Sequence, residues 1–92
     1  MNNWDEFVKE SKKESRSFSY DYDEIQVLAN IIRAIIDKRN ELGISQRELA
    51  NICGLPQSTI ARIETNIIKP NLFTLLKIMK PLGLKLTVES IN

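Results

Sequence analysis

The chain has 92 residues, 42% hydrophobic and 27% charged, with a formal net charge of +1, one cysteine and no histidine. That length fits one small domain with a short arm, and a core thin enough for a second copy to supplement it. Without histidine the usual acid–base group near neutral pH is missing, and lone Cys53 excludes an internal disulfide, a CxxC zinc site and a Cys–His pair, so no catalytic residue, metal or cofactor is expected.

Residues 1–24 hold seven acids and four bases, a net of −3, whereas residues 25–92 hold nine bases and five acids, a net of +4. The division reads as an acidic arm and a basic body with different partners, or as a solvated surface unevenly divided. No apolar run of ~18 residues exists, and Met1-Asn-Asn-Trp-Asp-Glu6 has neither a basic n-region nor an apolar h-region, so a cytoplasmic chain is expected. Spacing predicts a short amphipathic helix over residues 4–15, with Trp4, Phe7, Val8 and Ser11 on one face. Trp4, Phe7 and Val8 are candidate anchors for a protein partner, and Asp5, Glu6, Glu10 and Glu14 around them suit a basic one. Alternatively the arm folds back and Trp4 joins the core. A linker rich in Ser and aromatics completes the arm, residues 1–22.

Residues 23–83 read as the helical body. Asp21-Tyr-Asp-Glu24 offers a capping-box-like start, and Ile25, Leu28, Ile31, Ile32, Ile35 and Ile36 repeat at helical spacing to Leu42, with Gly43 as the stop. Ser45-Gln-Arg-Glu48 is a second capping box, opening a helix through Leu49, Ala50 and Ile52 that ends at Gly54. Pro56 fits the start of the next helix, Gln57 to Glu64, with Ile60 and Ile63 inward. Asn71 caps a helix carrying Leu72, Leu75, Leu76, Ile78 and Met79, and Pro81 must end or tighten it. Cys53 reads as a small buried hydrophobe.

From Leu84 the pattern changes to period 2, with Leu84, Leu86 and Val88 alternating with Lys85, Thr87 and Glu89. Residues 84–92 are therefore expected to form a strand. It has no partner within the chain, so the expectation is that it pairs with its copy across a two-fold dimer, Leu84, Leu86 and Val88 being the dimerisation residues.

Residues 45–64, SQRELANICGLPQSTIARIE, meet the demands of two short helices crossing at ~90–120° through a tight turn. Ala50 is small where the second helix crosses, Gly54 turns the chain, and Ile60 fills the angle with Leu49, Leu55 and Ile63. With Ile60 and Ile63 inward, the outer face of the second helix carries Gln57, Ser58, Ala61, Arg62 and Thr65. Gln can bond adenine through both ends of its amide, Ser and Thr can serve base or phosphate, and Arg can read guanine or hold phosphate. Gln46 stands at the N-terminus of the preceding helix, where it can meet a phosphate. The bland alternative is a merely solvated face.

These residues, with Gly43-Ile-Ser-Gln-Arg-Glu-Leu-Ala50, Gly54-Leu-Pro-Gln-Ser-Thr-Ile-Ala-Arg-Ile-Glu64 and Lys69-Pro-Asn-Leu-Phe-Thr-Leu-Leu-Lys-Ile-Met79, resemble the lambda-repressor-like (phage repressor and Cro type) helix-turn-helix family. The resemblance implies an all-α, five-helix domain that binds a palindromic operator in double-stranded DNA as a homodimer. It implies that Gln46 supports Gln57, that Ser58 and Arg62 touch bases or backbone, and that Asn66 and Lys69 hold phosphate. The candidate DNA-binding set is thus Gln46, Gln57, Ser58, Thr59, Ala61, Arg62, Asn66 and Lys69.

The flanks, an EFVKES stretch at Glu6–Ser11 and the terminal strand, resemble antitoxins of the HigA type. That resemblance implies an autorepressor that neutralises a RelE/HigB-like mRNA-cleaving toxin, for which Trp4, Phe7 and Val8 in the acidic arm are the candidate binding residues and a basic toxin the suited partner. The alternatives are a free-standing repressor and a protein-binding adaptor without DNA affinity.

Overall fold

The computed structural model describes residues 22–91. The expected arm helix over residues 4–15 and the candidate anchors Trp4, Phe7 and Val8 lie outside the described residues. Four helices follow in order: α1, Tyr22–Glu41; α2, Gln46–Cys53; α3, Gln57–Glu64; and α4, Leu72–Met79. None is long and apolar enough to cross a membrane.

α1 forms where the isoleucine stripe predicts it, and the stripe faces inward from its middle. Ile32 and Ile35 are buried, Leu28, Ile31 and Ile36 pack half-buried against them, and Ile25 at the helix start is exposed. α2 begins with a complete capping box. The Ser45 hydroxyl accepts from the Glu48 backbone N–H at 3.0 Å, and the Glu48 carboxylate accepts from the Ser45 N–H at 2.8 Å. Hydrogen bonding to the carboxylate, from the Ser45 backbone N–H first and from the Ser45 hydroxyl second, holds the Glu48 carboxyl below the usual carboxylate range. The charged form is the one the fold favours, so this contribution is present at neutral pH and lost as pH falls through the lowered value.

α2 ends at Gly54 with φ 72°, and Leu55 N–H closes the turn onto Ala50 O at 3.0 Å. A side chain there would meet nothing within 4 Å, so the demand for glycine is one of backbone conformation alone. α3 ends in the same way without glycine. Asn66 takes φ 63°, its N–H bonds Ile63 O, and Ile67 N–H reaches back to Arg62 O at 2.9 Å. Asn tolerates this left-handed position better than most side chains.

α2 packs most closely on α3, with α1 against α3 and α4 against α2. Leu49, Ala50, Cys53, Ile60, Ile63, Leu75, Ile78, Met79 and Leu82 join Ile32 and Ile35 in one core. Ala50, 2% exposed, is a small buried residue of α2, the helix that packs most closely on α3. Burial pushes the Cys53 thiol up, against a weaker pull from Lys77, so it stays protonated and unreactive at neutral pH.

Two expectations need correction. The described body has four helices and not five. Residues 84–91 contain no strand: Leu84 packs half-buried on the core, while Leu86 is 36% and Val88 99% exposed. A strand is defined by its ladder, and among the described residues this segment has no neighbour to pair with. Along α4, Leu75, Ile78 and Met79 are buried, but Leu72 and Leu76 point outward beside Phe73. Pro81 has its expected effect, since the helix stops at Met79 and a turn follows through Gly83.

Candidate nucleic-acid interface

α3 presents the side chains that its periodicity assigns to the outside. Gln57, Ser58, Arg62 and Thr65 are exposed, Thr59 and Ala61 are half-buried, and Ile60 and Ile63 are 1% exposed. Asn66 and Lys69 are exposed in the loop that follows. Among the described residues no acid pairs with Arg62, so a full positive charge stands on this face. Thr65 is occupied locally: its hydroxyl donates to Ala61 O at 2.8 Å and so closes the end of α3.

Beneath that face lies a polar cluster that pins the end of α3. Arg39 on α1 grips Glu64 with two parallel bonds, Nε to Oε2 at 2.7 Å and Nη2 to Oε1 at 2.9 Å. Its Nη1 donates to Ile44 O at 2.8 Å, tying the loop before α2 into the same group. The two side chains are 12% and 6% exposed. Hydrogen bonding to Glu64 holds the Arg39 guanidinium above its ordinary pKa and outweighs the cost of burial. Gln46 adds a third donor, Nε2 to Glu64 Oε1 at 2.9 Å.

Gln46 and Gln57, expected to act together, are therefore not bonded to each other. Gln57 is met by Arg47, whose Nε donates to Gln57 Oε1 at 3.3 Å. Consecutive residues of the first turn of α2 thus reach opposite ends of α3, Gln46 to its last residue and Arg47 to its first. α2 acts as a brace across the whole length of α3.

Arg39, Glu64 and Arg47 are the residues that sequence reasoning missed. A signal existed for the first two. Arg39 follows Ile32 and Ile35 at spacings of seven and four, and Glu64 follows Ile60 at four, so each charge ends an inward apolar stripe. Nothing local marks Arg47, because its contact depends on how the helices cross.

A small-residue helix crossing, a left-handed glycine turn and a second helix offering short polar groups and an unpaired Arg are the parts of a helix-turn-helix, and the helix-turn-helix family profile matches residues 35–88. The chain belongs to the helix-turn-helix family. A protein of Haemophilus influenzae described as an uncharacterized HTH-type transcriptional regulator is 37% identical over 86 residues, covering 94% of this chain and 83% of the relative. No solved structure matches. In this helix-turn-helix protein α2 and α3 are the two helices of the motif, with Gly54 between them, and α1 and α4 supply the supporting core.

Proposed function

We propose that the protein is a sequence-specific DNA-binding transcriptional regulator, acting as a repressor by occupying its site. The outward face of α3 carries the reading: Gln57, Ser58 and Arg62 stand exposed on a helix whose other side is locked into the core. Gln57, Ser58, Thr59, Ala61 and Arg62 lie in the major groove, while Asn66, Lys69 and the first turn of α2 at Gln46 meet phosphate. The family and the description of the Haemophilus influenzae relative support this reading.

Gln57→Ala should weaken binding to a selected site by about 5–150-fold, or about 1–3 kcal/mol, and relax the choice of base at one position per half-site. Titration of a selected duplex and of single-base variants by fluorescence anisotropy measures this. Equal loss on every sequence would place Gln57 on the backbone and not on a base.

A palindromic site and a two-fold dimer belong to the same reading. Leu84, Leu86, Lys85 and Met79 line a groove of about 250 Å³ with Val27, Asn30, Ile31 and Ala34 of α1, and Val88 and Ile91 extend beyond it fully exposed. In a dimer the tails at Leu84, Leu86 and Val88 pair as strands and cover this apolar edge. Sedimentation of a chain ending at Gly83 should then give a monomer where the full chain gives a dimer, and an unchanged dimer would move the interface elsewhere.

The narrower antitoxin reading rests on the flank resemblance and on Trp4, Phe7 and Val8 in the acidic arm. A free-standing repressor fits the family and its relative equally well. Co-purification of a basic ribonuclease of about 100 residues that depends on residues 1–20 separates the two.

A further inference from the structure

We infer that Arg47 is a specificity-determining residue: it holds the Gln57 amide so that the pair offers hydrogen-bond donors, selecting guanine where Gln57 alone would select adenine. The inference rests on the DNA-binding reading above and concerns which base that site reads.

A glutamine recognises adenine by using both ends of its amide, Oε1 accepting from the N6 amino group and Nε2 donating to N7. Here Oε1 already accepts from Arg47 Nε at 3.3 Å. A carbonyl oxygen has a second lone pair, but an adenine amino group brought to it would stand against the guanidinium, donor facing donor. What remains free on Gln57 is the Nε2 amino group. What remains on Arg47 is the rest of its donor fork, since Nε is its only side-chain nitrogen with a hydrogen-bond partner among the described residues. The pair is therefore donor-only on its exposed side. Guanine shows two acceptors, N7 and O6, on its major-groove edge, whereas adenine shows one acceptor and one donor.

The neighbouring glutamine cannot take this place. Gln46, one residue earlier, spends its amide on Glu64, which is itself fixed by Arg39. Arg47 is left as the side chain of α2 that reaches the start of α3, and its charge has no acidic partner among the described residues. It joins Gln57 in reading the base edge by orienting the amide and by adding its own donors.

The test is selection from a random-sequence duplex pool with the full chain, its Arg47→Ala variant and its Gln57→Ala variant, followed by sequencing. Arg47 is exposed in the first turn of a capped helix, and alanine suits that position, so the fold is retained. The position whose preference Gln57→Ala weakens most should be guanine in the parent. In Arg47→Ala the adenine-to-guanine ratio there should rise by about tenfold, the scale of one well-made base contact. Loss of a phosphate contact alone would weaken all sequences together and leave that ratio unchanged. The inference is overturned if the parent selects adenine at that position, or if Arg47→Ala keeps the parental ratio. Failure of all three proteins to enrich any sequence would instead overturn the DNA-binding reading itself.

Discussion

Glu64→Ala should lower the free energy of unfolding by about 3 kcal/mol, the lower end of the range for removing one partner of a buried ion pair, because both side chains are part-buried. The group left behind is the Arg39 guanidinium, 12% exposed, whose Nε and Nη2 have no other partner among the described residues. Its remaining bond to Ile44 O does not offset the loss of a bidentate carboxylate. For a chain of 92 residues, total stability at about 0.05–0.15 kcal/mol per residue is about 5–14 kcal/mol, so the variant loses a large share of it. Urea unfolding measures this as a drop in midpoint at constant slope. The double variant Arg39→Met/Glu64→Met should recover most of the loss, because it removes both charges and leaves apolar side chains of similar length. Arg33 and Asp37 are the internal contrast. They sit 3.6 Å apart on α1 with side chains 71% and 65% exposed, and Arg33→Ala should cost less than about 0.5 kcal/mol. A Glu64→Ala loss no larger than that would mean that the cluster adds geometry without stability.

That cluster also marks the boundary of what the sequence makes legible. Features decided within one or two helical turns can be read directly: the Ser45–Glu48 capping box, the left-handed stop at Gly54, the Asn71 cap and the outward face of α3. Each depends on neighbours three or four residues away, so spacing and residue type are enough. Arg39 and Glu64 lie 25 residues apart, and their meeting needs α1 and α3 to be packed first. The partner of Gln57 fails for the same reason, since whether Gln46 or Arg47 reaches it depends on the crossing of α2 and α3. α4 shows a different limit. LFTLLKIM has too little polar contrast to set its phase, which is why Leu72 and Leu76 join Leu75 in the sequence pattern yet turn outward. At Leu84–Val88 the alternation is real, but pairing is a property of two strands, and among the described residues no second strand lies beside this segment.

Ile60→Ala should cost about 2–5 kcal/mol, as expected for emptying a fully buried isoleucine site. Ile60 is 1% exposed, and it stands on α3 facing α2, where Leu49 and Ala50 are also buried. With about 4–8 °C of melting temperature per kcal/mol in a domain of this size, the variant should melt at least about 8 °C lower. Stability alone does not show that Ile60 sets the angle of the motif, because any core cavity lowers it. Ile78 on α4 supplies the control: it is equally buried, 1% exposed, but belongs to the helix that supports α2 from outside the motif. Ile78→Ala should cost a similar amount of unfolding free energy. Measured at a temperature where both variants are fully folded, the two should part in DNA affinity. A cavity at Ile60 lets α3 shift against α2, so Gln57 and Arg62 lose register with the groove and the Arg47 bridge to Gln57 opens. A cavity at Ile78 leaves that crossing in place and affinity close to the parent. Equal affinity losses in the two variants would show that the α2–α3 crossing is held by the core as a whole, with Ile60 one contributor among several.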